Sequence, residues 1–277
     1  MSDTTGIEWT NATWNPVTGC SKVSPGCANC YAERLALTRL AGRPGYPGLP
    51  WTPENAAANV VLHTDRLDLP LSWRKPRRVF VNSMSDLFHE RVTDGYAQRV
   101  FGVMAAASHH TFQVLTKRPE RMRDWMNDGG GGRSEPSWDQ GDAVYSEFVQ
   151  HLPEAERDFV EMPWPLPNVW LGTSIENDHF VGRADALRET PAAVRFVSAE
   201  PLLGPLPSLD LTGIDWLIVG GESGPGHRPM DSEWVRDLVW LADQRRIPVF
   251  VKQASGPRAG KQGDLPGDLW ARKEYPK

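Results

Sequence analysis

Short apolar runs rich in β-branched residues recur along this chain, each ending in polar residues and most followed by a segment with helical spacing. The clearest cover 79–82, 112–115, 169–172, 195–197, 216–219 and 249–251, and a further strand is expected before Cys20. Between the first two runs, Tyr96, Val100, Phe101, Met104 and Ala105 share one helical face; before the last, so do Trp234, Leu238, Leu241 and Ala242. Asp231 stands where the second of these helices needs an N-cap. Strand runs alternating with helical runs predict repeated βα units around a parallel sheet, an α/β fold, and argue against a sandwich.

The rhythm breaks at 127–167, where Gly129 to Gly132 and scattered acidic residues read as an insertion in the third βα unit. That insertion is either a disordered loop or a lid over a substrate. Residues 1–253 otherwise read as a single βα domain, and 254–277 as a tail with Gly, Pro and charge but little periodicity.

Composition narrows the choice of partners. The 277 residues are 40% hydrophobic and 23% charged with a net charge of −5, which is ordinary globular composition without the global basic field of a non-specific DNA binder. Arg74, Lys75, Arg77 and Arg78 form one short cationic cluster, the kind of solvated run that precedes a strand. The first residues carry no basic start or apolar run, and no stretch approaches eighteen apolar residues, so a soluble cytoplasmic protein without membrane contact is expected.

All three cysteines lie within eleven residues, in Gly19-Cys20-x6-Cys27-x2-Cys30-Tyr31, and an odd, clustered set in such a chain is not a disulfide framework. Glycines before the first two thiols let the backbone wrap tightly and turn amide N–H groups toward a cluster. A 4Fe-4S cube held by three thiolates leaves one iron open for a ligand. Structural zinc usually takes four protein ligands, and the nearest histidine, His63, is thirty-three residues past Cys30. Residue types and spacing alone leave an iron-sulfur or a zinc site.

The run from Trp14-Asn15-Pro16 through Gly19-Cys20 to Gly26-Cys27-Ala-Asn-Cys30-Tyr31-Ala32 resembles the cluster-binding loop of radical S-adenosylmethionine (SAM) enzymes, especially the spore photoproduct lyase-like branch. Their usual spacing is C-x3-C-x2-C, so this loop carries three additional residues. Over nearly its whole length the chain is also similar to phage-associated three-cysteine-motif proteins, through segments such as VFVNSMSDLFHERV, FQVLTKRPERM, RFVSAEPLLGP and DWLIVGGESGPGHRPM. The resemblance implies a partial (β/α)6-type TIM barrel with a 4Fe-4S cluster on Cys20, Cys27 and Cys30 and SAM on the open iron. It also implies a reductant protein such as flavodoxin or ferredoxin, and a nucleotide or nucleic acid as substrate. The rival reading is a zinc-stabilised, non-catalytic protein that binds nucleic acid or a partner.

Polar residues just past the C-terminal strand ends surround the site of a parallel barrel. With SAM as cofactor, Lys117 suits its carboxylate, Ser83, Ser85 or Asp86 its amino group, and Ser174 and Glu176 its ribose. Gly220, Gly221 and Glu222 would admit the adenine close to backbone. Glu200, aimed by Pro201, is either a substrate or proton-handling carboxylate or the partner of Lys252 or Arg195. His89 is a candidate substrate contact, while His109 and His110 suit a helix C-terminus. Each strand-end residue has the alternative of capping the next helix. Trp9 and Trp14 are candidates to shield a cluster from water.

Overall fold

A computed structural model of the protein describes residues 5–130, 143–154 and 162–277. Nine strands occur among them: β1 (Ala12–Trp14), β2 (Val17–Thr18), β3 (Val61–Leu62), β4 (Arg78–Val81), β5 (Thr111–Thr116), β6 (Val169–Ser174), β7 (Val194–Ala199), β8 (Trp216–Gly220) and β9 (Val249–Gln253). The helices are α1 (Tyr31–Leu37), α2 (Ala56–Asn59), α3 (Asp94–Ala106), α4 (Pro119–Asn127), α5 (Ala143–Gln150), α6 (Arg183–Arg188), α7 (Ser232–Gln244) and α8 (Gly267–Trp270). All six strands expected from the apolar runs form, and the expected one before Cys20 is β1.

Seven strands form one sheet in the order β1-β4-β5-β6-β7-β8-β9, every neighbouring pair parallel. The sheet curls into a half-barrel with β1 and β9 as its edges. It has one strand more than a (β/α)6 unit, because β1 holds only three residues and enters ahead of the cysteine loop. β2 and β3 make a separate antiparallel pair in the long crossover from β1 to β4.

Alternation along the strands gives the two faces different jobs. Val79, Val81, Phe112, Val114, Leu171, Val197, Leu217, Val219, Val249 and Val251 point outward into the main core under the helices. Phe80, Phe196, Trp216, Ile218 and Phe250 point inward and cluster with Trp9. The Trp9 ring lies 4.7 Å from Phe80 and 6.2 Å from Trp216 in tilted and edge-on contacts, an arrangement favoured by aromatic quadrupoles. The barrel interior is therefore sealed by aromatic rings toward its N-terminal end and open toward its C-terminal end.

Helices cover the outer face; the expected face of α3 is the buried one, while α7 is turned so that Trp234 and Leu241 are only partly buried. α3 buries Tyr96, Val100, Phe101, Met104 and Ala105 and is capped by Thr93, whose hydroxyl accepts from Tyr96 N. α7 buries Val235, Leu238, Val239 and Ala242, and Asp231 caps it by accepting from Glu233 N at 2.9 Å. His109 and His110 lie past the end of α3 and bond the Trp73 and Pro70 carbonyls rather than the helix terminus.

Parts of the 127–167 insertion lie outside the described residues. Within the rest, α5 buries Val144 and Phe148 in the main core, and no described residue after Asn127 in that segment lines the cavity at the barrel mouth. The tail is built into the fold. Tyr275 packs on Trp216 and Phe250 at 5.4 Å from each, Trp216 Nε1 donates to Glu274 O, and Lys273 bonds Glu8 at 2.9 Å. Among the described residues no helix is long and apolar enough to cross a membrane.

Candidate functional site

At the C-terminal end of the half-barrel lies a cavity of about 230 Å³. Its walls bring together residues from the cysteine loop and from the ends of β4, β5, β6, β7, β8 and β9. Of the sequence-derived candidates, Cys20, Cys27, Cys30, Ser83, Ser85, Asp86, Lys117, Ser174, Glu200, Gly221 and Glu222 line it. His89, Glu176 and Gly220 do not.

The cysteine loop crosses this mouth and is braced from below by strand-end carboxylates. Glu176, fully buried and paired with Arg183 at 2.9 Å, accepts a hydrogen bond from Gly26 N at 3.2 Å. A Cβ on Gly26 would sit 3.1 Å from the Glu176 carboxyl carbon, a tight contact that would push the carboxylate back by a few tenths of an ångström. Glu222 accepts from Asn29 Nδ2 at 2.9 Å and from Arg228 N and Nε, and Arg228 Nη2 donates onward to Pro25 O at 3.0 Å. Burial alone would raise the Glu222 carboxyl, but the bonds from Arg228 and Asn29 hold it well down, at about 2.

The first turn of the loop has its own support. Asp86 is buried and accepts from Thr116 Oγ1 at 2.7 Å, Phe88 N at 3.0 Å, Lys117 N at 3.2 Å and Arg118 Nη1 at 3.1 Å. His89 is wholly buried; Arg91 N donates to its Nδ1, so its proton lies on Nε2 and faces Ser21 Oγ at 2.9 Å. Burial, then the Arg118 charge, lowers its pKa to about 4, and the ring is neutral at pH 7. Tyr31 donates to Ser83 O at 2.6 Å, Ser83 Oγ to Asn15 Oδ1, and Ser85 Oγ to Val17 O. Asp86, His89, Glu176 and Glu222 thus hold the loop, and His89 and Glu176 stand behind it rather than on the cavity wall.

The three thiols are free and half-buried. Burial, with Asp86 nearby, pushes the Cys20 thiol up to about 12, and burial raises Cys30 as well. Among the described residues no group of three or more His, Cys, Asp and Glu side chains is arranged to hold a metal ion. The donors themselves still suit a soft metal centre: three thiols on one glycine-bounded loop, all facing one cavity. Two histidines that border this region are engaged elsewhere, His63 Nε2 with Thr18 Oγ1 at 2.7 Å and His89 Nε2 with Ser21 Oγ at 2.9 Å.

On the inner wall, Glu200 at the end of β7 forms an ion pair with Lys252 of β9 across the intervening β8. Gly220 lies between the two, and a methyl group there would stand in ordinary contact, 3.4 Å from the Glu200 carboxyl carbon and 3.5 Å from Lys252 Cβ, leaving no space for a larger side chain. Gly221 has a different need: a Cβ would lie 2.2 Å from Ser255 N. Arg195, the other potential partner of Glu200, donates its side-chain Nε to Thr190 O at 2.9 Å instead, and its backbone N to Asp215 Oδ2 at 2.8 Å. Lys117 differs from the other charges on the wall. Its ammonium makes no hydrogen bond or salt bridge among the described residues, while Asp86, Glu200 and Glu222 each have a cation. Trp9 lines the cavity floor, whereas Trp14 lies on the outer face against Phe112.

A family model described as a protein of unknown function (DUF5131) matches residues 4–266. The chain belongs to this family. The matched span takes in the cysteine loop, all seven sheet strands and every residue of the cavity wall. No curated protein and no solved structure matches it.

Arg118, Arg183, Arg228 and Asn29 of this DUF5131 chain are not among the expected site residues. Arg183 and Arg228 follow their carboxylates by seven and six residues, a short-range pairing visible in the sequence. Arg118 pairs across 32 residues with Asp86, and Asn29 across 193 with Glu222; only the fold joins these.

Proposed function

We propose that the protein is a radical SAM enzyme whose Cys20, Cys27 and Cys30 hold a 4Fe-4S cluster over the half-barrel cavity. One observation carries the reading: three free thiols on a single braced loop face the same cavity as Lys117, unpaired among the described residues, at the C-terminal mouth of a parallel half-barrel. When bound, the cluster and SAM supply reductive cleavage of the sulfonium and the start of radical chemistry. The chain's own part is positional. Glu176 and Glu222 fix the backbone between Gly26 and Asn29, and the aromatic floor keeps water out from below. Lys117 offers a point charge to the SAM carboxylate, and Ser174 lies within the same wall for the ribose. The electron would come from a reductant protein of the flavodoxin or ferredoxin kind in the cytoplasm, and a nucleotide or nucleic acid is the substrate favoured by the resemblance.

The test is anaerobic reconstitution with iron and sulfide. Iron and sulfide in cluster proportion, a brown absorbance and 5′-deoxyadenosine formed from SAM under reduction are expected. Replacing any one of Cys20, Cys27 or Cys30 by Ala is expected to abolish both the spectrum and the cleavage, because each thiolate holds one iron. Stoichiometric zinc in an anaerobic preparation would sink the proposal in favour of a zinc-stabilised binding protein.

A further inference from the structure

The most heavily engaged side chain at the mouth is Arg118. Pro119 follows it as the first residue of α4 and biases its backbone away from the helix, and its own N–H is taken by Thr116 Oγ1 at 2.9 Å. The guanidinium is only 11% exposed. Nη1 meets Asp86 at 3.1 Å, Nη2 meets Ser21 O and Oγ at 3.3 and 3.1 Å, and Nε meets Glu90 at 3.2 Å. Its remaining contact is Nη1 to Cys20 Sγ at 3.7 Å, a hydrogen bond to sulfur. No other thiol of the three receives a charged donor among the described residues.

Resting on the cluster reading above, the geometry points to Arg118 as a positioning residue that donates to the Cys20 thiolate and raises the cluster's reduction potential. The added residues between Cys20 and Cys27 set the first thiol farther in sequence from the tight C-x2-C pair, and Arg118, between β5 and α4, clamps it through both Sγ and the Ser21 backbone. Reduction places one electron on the cluster, from a low-potential one-electron donor, with no proton transferred. A charged N–H donor at a ligating sulfur stabilises the more negative, reduced form. Glu90 works against it: its carboxylate, 62% exposed on the far side of the guanidinium, offsets part of the positive charge.

The experiment is a potentiometric titration of reconstituted wild-type, R118K, R118M and E90Q protein with dithionite, followed by absorbance and electron paramagnetic resonance at equal iron and sulfide content. R118M is expected to shift the reduction equilibrium about tenfold toward the oxidised cluster, about 59 mV for one electron. R118K restores part of that, and E90Q moves the potential the opposite way. General loosening of the loop would not give shifts of opposite sign. If R118M does not fold with Asp86 left unpaired, R118K and E90Q still carry the test, since each keeps a cation beside Asp86. Wild-type potentials in loaded R118K and E90Q, or a shift of one sign in R118M and E90Q, overturn the inference alone. A wild-type protein that takes up no iron-sulfur cluster overturns the reading beneath it as well.

Discussion

Glu222→Gln tests whether strand-end carboxylates hold the cysteine loop. Glu222 is 4% exposed and gathers bonds from Asn29, Arg228 N and the Arg228 guanidinium. Its carboxyl, moved from an ordinary 4.5 to about 2, gains about 1.4 kcal/mol per pH unit of displacement, about 3 kcal/mol in all. Solvent at Arg228, which is 33% exposed, trims this to about 2 kcal/mol. A carboxyl depressed in the folded state contributes fully above its unfolded value, and the contribution disappears as pH falls from 4.5 through about 2. Urea denaturation of wild-type and E222Q protein should therefore differ by about 2 kcal/mol at pH 7, with the gap closing toward pH 2. In the metal-free protein, Cys27 and Cys30 should alkylate faster in the variant and Cys20 at the wild-type rate, because Arg118 and His89 hold the first turn separately. A gap that does not change with pH, or three unchanged alkylation rates, would refute the bracing argument.

Wild-type protein should lose stability relative to His89→Gln as pH falls from 6.5 to about 4, by about 2 to 3 kcal/mol, because the unfolded chain binds a proton that the buried His89 refuses; parallel urea curves across that window check it. On the proposed radical SAM reading, Lys117→Ala should weaken SAM binding by about 1.5 to 3 kcal/mol at unchanged cluster content, read by anaerobic calorimetry, and a wild-type dissociation constant would remove Lys117 from the proposed cofactor site. Gly221→Ala should destabilise the fold by about 3 kcal/mol or more in denaturant titration, since the new Cβ meets backbone rather than a movable side chain. Gly220→Val should break the Glu200–Lys252 pair where Gly220→Ala leaves it standing, which the crystal structures of the two variants would reveal.

Sheet strands were legible because their apolar runs are continuous: a strand such as β8, Trp216–Gly220, is buried on both faces and needs no alternation to be recognised. β1 was harder, having three residues and a polar Thr13 between Ala12 and Trp14. The tail's part in the fold escaped because Tyr275, Lys273 and Glu274 act singly, each on a distant partner, and so leave no period. Eleven of the fourteen candidate residues do line the cavity, since a polar residue at a parallel strand end has few other places to go. What the residue types could not tell is which of them face a ligand and which face the loop. That depends on where a cation lies, as Arg183 beside Glu176 and Arg118 beside Asp86 demonstrate. Glu200 was read either as a substrate or proton-handling carboxylate or as the partner of Lys252 or Arg195, and of the two cations the fold brings Lys252 to it.

Every acid that braces the cysteine loop brings its own counter-cation from the protein, so the scaffold around the thiols is complete before anything binds to them. Small zinc domains are the opposite case, unfolded until the metal arrives. If the proposed cluster is held there, its loss would leave a folded vessel, and repair would be a matter of refilling rather than of making the chain again.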